Sequence, residues 1–83
     1  MLTALEVMEA RGILPAVEKE CRRCGVTLGD ILSMRGKEGL TTKARHHAWL
    51  ALLAEGFPAA QVARMWGCDH TSVLYAVRKA RKA

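Results

Sequence analysis

Eighty-three residues, 51% apolar and 25% charged, fit one small folded domain and exclude a multidomain enzyme. A chain this short commits most of its apolar side chains to a single core and leaves little surface for a deep pocket. The formal charge of +5 is uneven, −2 over residues 1–20 and +7 over residues 21–83, so a basic body suited to a polyanionic partner follows a mildly acidic start.

Alanine and leucine are abundant and aromatics make up only 5%, and no stretch alternates apolar and polar residues cleanly between turn signals, so an all-α fold is expected. Thr3-Ala4-Leu5-Glu6 has the T-x-x-E form of a capping box, and Leu2, Leu5 and Met8 follow at helical spacing; this first helix ends at Gly12. Pro15 suits the first turn of a second helix, where its missing N–H would have no partner anyway, and Val17, Cys21 and Cys24 recur along one face until Gly25. Cys21-Arg-Arg-Cys24 has C-x-x-C spacing, but Cys68, His46, His47 and His70 form no second recognisable ligand pair, so two half-buried thiols on one helix face are expected rather than a metal site.

Thr27 caps a brief helix through Asp30, Ile31 and Leu32. Met34-Arg35-Gly36-Lys37-Glu38-Gly39, with two glycines and two bases, reads as a mobile basic loop. Thr41 or Thr42 caps the central core helix, which runs through Ala44, Ala48, Ala51 and Leu52 with Trp49 and Leu53 beside them and closes at Gly56. Pro58 opens a short helix ending near Trp66, and Asp69 caps a last one leading into the basic tail Arg78-Lys79-Ala80-Arg81-Lys82. The expected architecture is a compact bundle of about five to six helices, with residues 1–13 as an N-terminal helix and 14–83 as the main domain.

Residues 59–78 carry a helix-turn-helix pattern. Ala63 sits where the first helix meets the second, Gly67 at the turn, and Val73 six residues on; Val62 and Trp66 supply the inward face of the first helix, and Leu74, Ala76 and Val77 continue that of the second. The first turn of the second helix, Asp69-His70-Thr71-Ser72, presents four hydrogen-bonding side chains. In the major groove a carboxylate accepts from the cytosine amino group, imidazole and hydroxyls bond base edges, and a threonine methyl packs on a thymine methyl. Asp69 is also a natural N-cap, and the two duties are compatible.

The stretch Gly67-Cys68-Asp69-His70-Thr71-Ser72-Val73-Leu74-Tyr75-Ala76-Val77-Arg78-Lys79 resembles the signature of the C-terminal DNA-binding domain of DnaA, the bacterial replication initiator. The likeness extends back through Ala44-Arg45-His46-His47-Ala48, Asp30-Ile31-Leu32-Ser33 and Cys24-Gly25-Val26-Thr27, covering about residues 14–80. It implies an all-helical fold of the Trp-repressor type that binds short duplex boxes. By the same resemblance Asp69, His70 and Thr71 read bases in the major groove, Ser72 and Tyr75 lie near phosphates, Arg45 is a phosphate-contacting arginine, and Arg35 or Lys37 enters the minor groove. The chain departs from the pattern at three points. Its basic loop is one residue longer and holds Gly36 and Glu38, only Gly67-Cys68 precedes Asp69 where the family has two glycines and an arginine, and Tyr75 replaces a usual histidine. An altered box preference is the expected consequence. The family's ATPase is missing, since no G-x4-G-K-[ST] loop occurs.

The leading expectation is a sequence-specific double-stranded DNA-binding module, regulating replication initiation or transcription, with Lys43, Arg45, Tyr75 and Lys79 on phosphates. Arg64 is a weaker phosphate candidate. The alternative is a protein-interaction module that kept the fold without the DNA, docking on a partner or a second copy through Leu2, Leu5 and Met8. No enzyme activity and no cofactor is expected: Cys68, Asp69 and His70 are adjacent, but neighbours on a capped turn point in different directions. The longest uncharged apolar run, Ala48 to Ala54, is too short to span a bilayer, and the first twenty residues lack the pattern of a secretory signal. A cytoplasmic, nucleoid-associated location without a membrane partner is expected.

Overall fold

The computed structural model describes residues 3–33 and 39–82, and among them the chain is all helical. Six helices follow in order: α1 (Ala4–Ala10), α2 (Leu14–Cys24), α3 (Leu28–Leu32), α4 (Gly39–Ala54), α5 (Ala59–Trp66) and α6 (His70–Lys82). The local signals act as their chemistry dictates. Thr3 and Glu6 close a reciprocal capping box on α1, with Thr3 Oγ1 accepting from the Glu6 N–H at 3.2 Å and the Glu6 carboxylate accepting from the Thr3 N–H at 3.1 Å. Thr27 and Asp30 repeat the device on α3, at 3.0 Å in both directions. In each pair the bonded carboxyl is held below its ordinary range, first by the threonine N–H.

The start of α4 differs from expectation. The helix begins at Gly39, so Thr41 and Thr42 lie inside it and neither is its cap; Thr41 is buried instead. A hydroxyl residue in a first turn is as compatible with helix as one at the cap, so the two sites cannot be told apart by residue type alone.

Helix α4 is the centre of the bundle, packing on α2, α3, α5 and α6, while α1 lies across α2 and α5. Ala44, Ala48, Trp49 and Leu52 form its inward stripe, and Val17, Ile31, Val62, Val73 and Met8 reach the same core from the other helices. The small residues at 44 and 48 let neighbouring backbones approach α4 closely, and Trp49 fills the space beside them. Cys21 and Cys24 are both buried free thiols, more deeply placed than expected, and burial pushes the Cys21 thiol up from its ordinary value.

A node of polar contacts ties three helices together at the end of α3. The Ile31 carbonyl accepts both the Trp66 indole N–H of α5, at 2.7 Å, and the Arg45 Nε–H of α4, at 3.1 Å. Five residues are too few to hold a helix unaided, so α3 depends on these anchors. Trp66→Phe keeps a six-membered aromatic ring but removes the donor with the pyrrole portion that bears it, and is expected to cost about 2 kcal/mol, read as a lower midpoint in urea at unchanged slope.

The outer stripe of α1 is not a continuous apolar surface. Met8 is fully buried, Leu5 is 37% exposed, and Leu2 lies outside the described residues. Helical rotation turns Met8 into the core, as ordinary packing requires, and leaves Leu5 at its edge. Among the described residues no helix is long and apolar enough to cross a membrane.

Candidate functional site

Helices α5 and α6 are joined by a turn whose backbone matches its sequence. Gly67 has φ +69°, in the left-handed region where a side chain is strained, and the Cys68 N–H reaches back to the Ala63 carbonyl at 3.0 Å. Ala63, Val62, Trp66, Val73 and Ala76 are all buried where the two helices meet. Leu74 departs from expectation. It is exposed, since one step of helical rotation past Val73 carries it off the inward face, which continues instead through Ala76 and the half-buried Val77.

The first turn of α6 carries the expected base-reading residues, and the structure separates their duties. Asp69 caps the helix, with Oδ1 accepting the Thr71 N–H at 3.0 Å, and this bond leads the causes that hold its carboxyl below the usual range. The same oxygen stands 3.2 Å from His70 Nδ1. With Nδ1 carrying the proton, the ring is oriented by the carboxylate and presents Nε2 as an acceptor. Asp69, His70 and Thr71 are all exposed, and Ser72 is half-buried. Capping therefore does not remove Asp69 from the surface.

The expected phosphate residues fall into two groups. Lys43, Tyr75 and Lys79 are exposed, Tyr75 to 60%. Lys43 and Lys79 line one groove of about 410 Å³ between α2, α4 and α6, together with His46, His47 and Leu50. Arg45 is placed otherwise than expected. It is only 4% exposed, and its guanidinium donates to the carbonyls of Ile31 at 3.1 Å, Ser33 at 2.8 Å and Asp30 at 3.5 Å. A planar fork of donors matches the converging carbonyls that end a helix, which makes Arg45 the clamp of α3 rather than an extended surface cation. Arg64 is exposed on the last turn of α5 and lines a different groove, with Arg11, Phe57 and Met65. Arg35 and Lys37, expected in the minor groove, lie outside the described residues.

Three residues outside the expected set, Thr42, His46 and Trp49, join the site. Thr42, Arg45, His46 and Trp49 form one stripe of α4, at positions i, i+3, i+4 and i+7, and face the start of α6 across a cleft of about 400 Å³. Thr71, Ser72 and Tyr75 make the opposite wall. His46 stacks on Trp49 with ring centres 5.3 Å apart and meets Tyr75 edge-on at 6.4 Å. Burial, then the cations Lys79 and Arg45, lower its pKa from the ordinary value. The folded chain thus favours neutral His46. Stability from this residue is present above an ordinary imidazole value of about 6.5 and is lost as pH falls through the depressed one. The helical spacing 42, 45, 46, 49 was the available signal, hidden because Thr42 read as a cap and His46 as part of a helix interior.

In comparisons with known proteins, no family model, no curated protein and no solved structure matches this chain.

Proposed function

We propose that the chain is a sequence-specific double-stranded DNA-binding module that reads a short duplex site with the first turn of α6. The observation that carries this reading is the turn Asp69-His70-Thr71-Ser72, exposed except for half-buried Ser72, which follows the Gly67 turn and lies on the helix that carries Lys79 beside Lys43 of α4. A helix start with exposed polar side chains and a satisfied cap has the form a major groove accepts, and flanking ammonium groups supply the sequence-independent attraction to phosphate. The resemblance to the DnaA C-terminal domain supports the same reading, with replication initiation or transcription as the regulated process and the nucleoid as the place of work. The alternative of a protein-interaction module draws no support from α1, where Met8 is buried. No catalytic role or cofactor is part of the proposal.

The two kinds of contact respond differently to mutation. Lys79→Ala is expected to weaken binding to every duplex alike and to reduce the dependence of log K on log salt by about one unit. His70→Ala is expected to relax preference at one base pair, losing about tenfold to a hundredfold of discrimination there. Fluorescence anisotropy on a preferred and a scrambled duplex, across salt, measures both. Equal loss on the two duplexes from His70→Ala would remove the base-reading role.

A further inference from the structure

Seven side chains converge between the N-terminal half of α4 and the start of α6, and their chemistry is uneven. Thr42, Thr71, Ser72 and Tyr75 bring four hydroxyls and His46 an imidazole, while the described residues lining the cleft include no carboxylate. Beneath them Trp49, 2% exposed, carries an indole N–H that has no hydrogen-bond partner among the described residues. A wall of hydroxyl donors without competing acid suits a ligand that accepts several hydrogen bonds and bears negative charge. Ser, Thr and Tyr hydroxyls are frequent partners of nucleic-acid phosphates for this reason.

We propose that this cleft seats one backbone phosphate of bound duplex DNA against His46, and that the imidazole takes up a proton as the phosphate arrives. The inference rests on the DNA-binding reading above and adds to it a ligand for the cleft and a linked proton. His46 is well placed for both. Its ring is fixed by Trp49 on one face and by the edge of Tyr75, and it lines this cleft and the neighbouring groove at once.

The groups around the ring set the direction of the linkage. From α4 come Lys43, Arg45 and His47, from α6 Tyr75 and Lys79, and from α2 Glu20. Glu20 is the one carboxylate among them, and it is committed to Arg23 at 3.0 Å and to the Cys24 thiol. Burial and the cations therefore keep the imidazole neutral in the unbound protein. A phosphate beside the ring reverses the electrostatic balance and favours the imidazolium. A proton taken up on binding makes affinity rise as pH falls, by reciprocity between the two equilibria, with a limit of about one log unit per pH unit for one proton.

Because a phosphate seat is indifferent to sequence, the test uses one mixed-sequence duplex of about 20 base pairs at fixed low ionic strength. Anisotropy titrations between about pH 5.5 and 8 are expected to show binding tightening about tenfold toward the acid end. His46→Gln is expected to flatten that dependence and His47→Gln to retain it. Proton NMR of the unmodified protein reads the same event without a variant: the His46 ring signal should titrate at a higher pH in the complex than in the free protein. A wild-type affinity independent of pH, a slope that survives in His46→Gln, or an unshifted His46 titration overturns the inference while leaving DNA binding intact. Failure to bind any duplex at any pH overturns the DNA-binding reading and this inference together.

Discussion

Replacing Arg45 with alanine is expected to cost the fold about 3 kcal/mol, more than any surface charge in the chain. The guanidinium is buried and donates to the carbonyls of Ile31, Ser33 and Asp30, so truncation leaves acceptors at the end of α3 without a charged donor. The Ile31 carbonyl then keeps only the Trp66 N–H, and the partly buried carbonyls of Ser33 and Asp30 lose their charged donor, which makes breaking such a set costlier than its net worth when intact. Helix α3 has five residues and little cohesion of its own, so the loss should appear first as rapid amide exchange in residues 28–32. Lysine is expected to recover little, since one ammonium cannot match the fork that reaches several carbonyls. Urea unfolding monitored by tryptophan fluorescence gives the number. A change under about 0.5 kcal/mol, with only DNA affinity altered, would instead mark Arg45 as a phosphate contact without structural duty.

Trp49→Ala is the larger of the two effects, with an expected loss of about 4 kcal/mol. The ring is buried at the middle of α4, against Trp66 of α5 at 6.0 Å and His46 at 5.3 Å, and it lines the cleft that α4 shares with α6. Truncation removes the transfer energy of the indole and leaves a cavity that Ala44 and Ala48, on the same stripe, are too small to fill. For a domain of this size that loss is a large part of the total stability, so partial unfolding at room temperature is expected. Trp49→Phe gives up the pyrrole portion of the indole together with its N–H. That N–H has no partner among the described residues, so relief of an unsatisfied donor offsets part of the lost packing, and the net cost should stay within about 1 kcal/mol. Trp66→Phe, which loses a 2.7 Å bond to Ile31, should cost clearly more than Trp49→Phe; the reverse order would contradict the arrangement of donors described above.

Much of this molecule is legible in the sequence because its helix boundaries are written in strong local chemistry. Thr3 with Glu6, Thr27 with Asp30, Pro15, Gly67 and Asp69 each satisfy or terminate backbone groups within four residues, and such signals need no tertiary information. Where the signal is not local, the reading fails in a physical way. An arginine in a basic chain looks like a surface cation, and only the approach of α3, 12 to 15 residues away in sequence, turns Arg45 into an internal clamp. Leu74 follows Val73 in an apolar pair, yet only Val73 lies on the side of α6 that its neighbours cover, a difference that tertiary packing decides and residue type does not. Thr42 and His46 gain their interest from α6, whose first turn supplies the second wall of their cleft. Met8 shows the complementary point: a helix periodic in apolar residues shows that a face exists, and the approach of its neighbours decides that the face is covered.

Reading of duplex sequence by the first turn of α6 can be decided by selection from a random pool. The intact chain is incubated with duplexes carrying a randomised segment at near-physiological salt, and bound molecules are recovered, amplified and sequenced through successive rounds. The account predicts convergence on one short box, and a parallel selection with His70→Ala that converges on the same box with one position relaxed. A bound pool with the same base frequencies as the input, at salt low enough for binding to occur, would contradict sequence reading and leave only a basic surface that attracts DNA of any sequence.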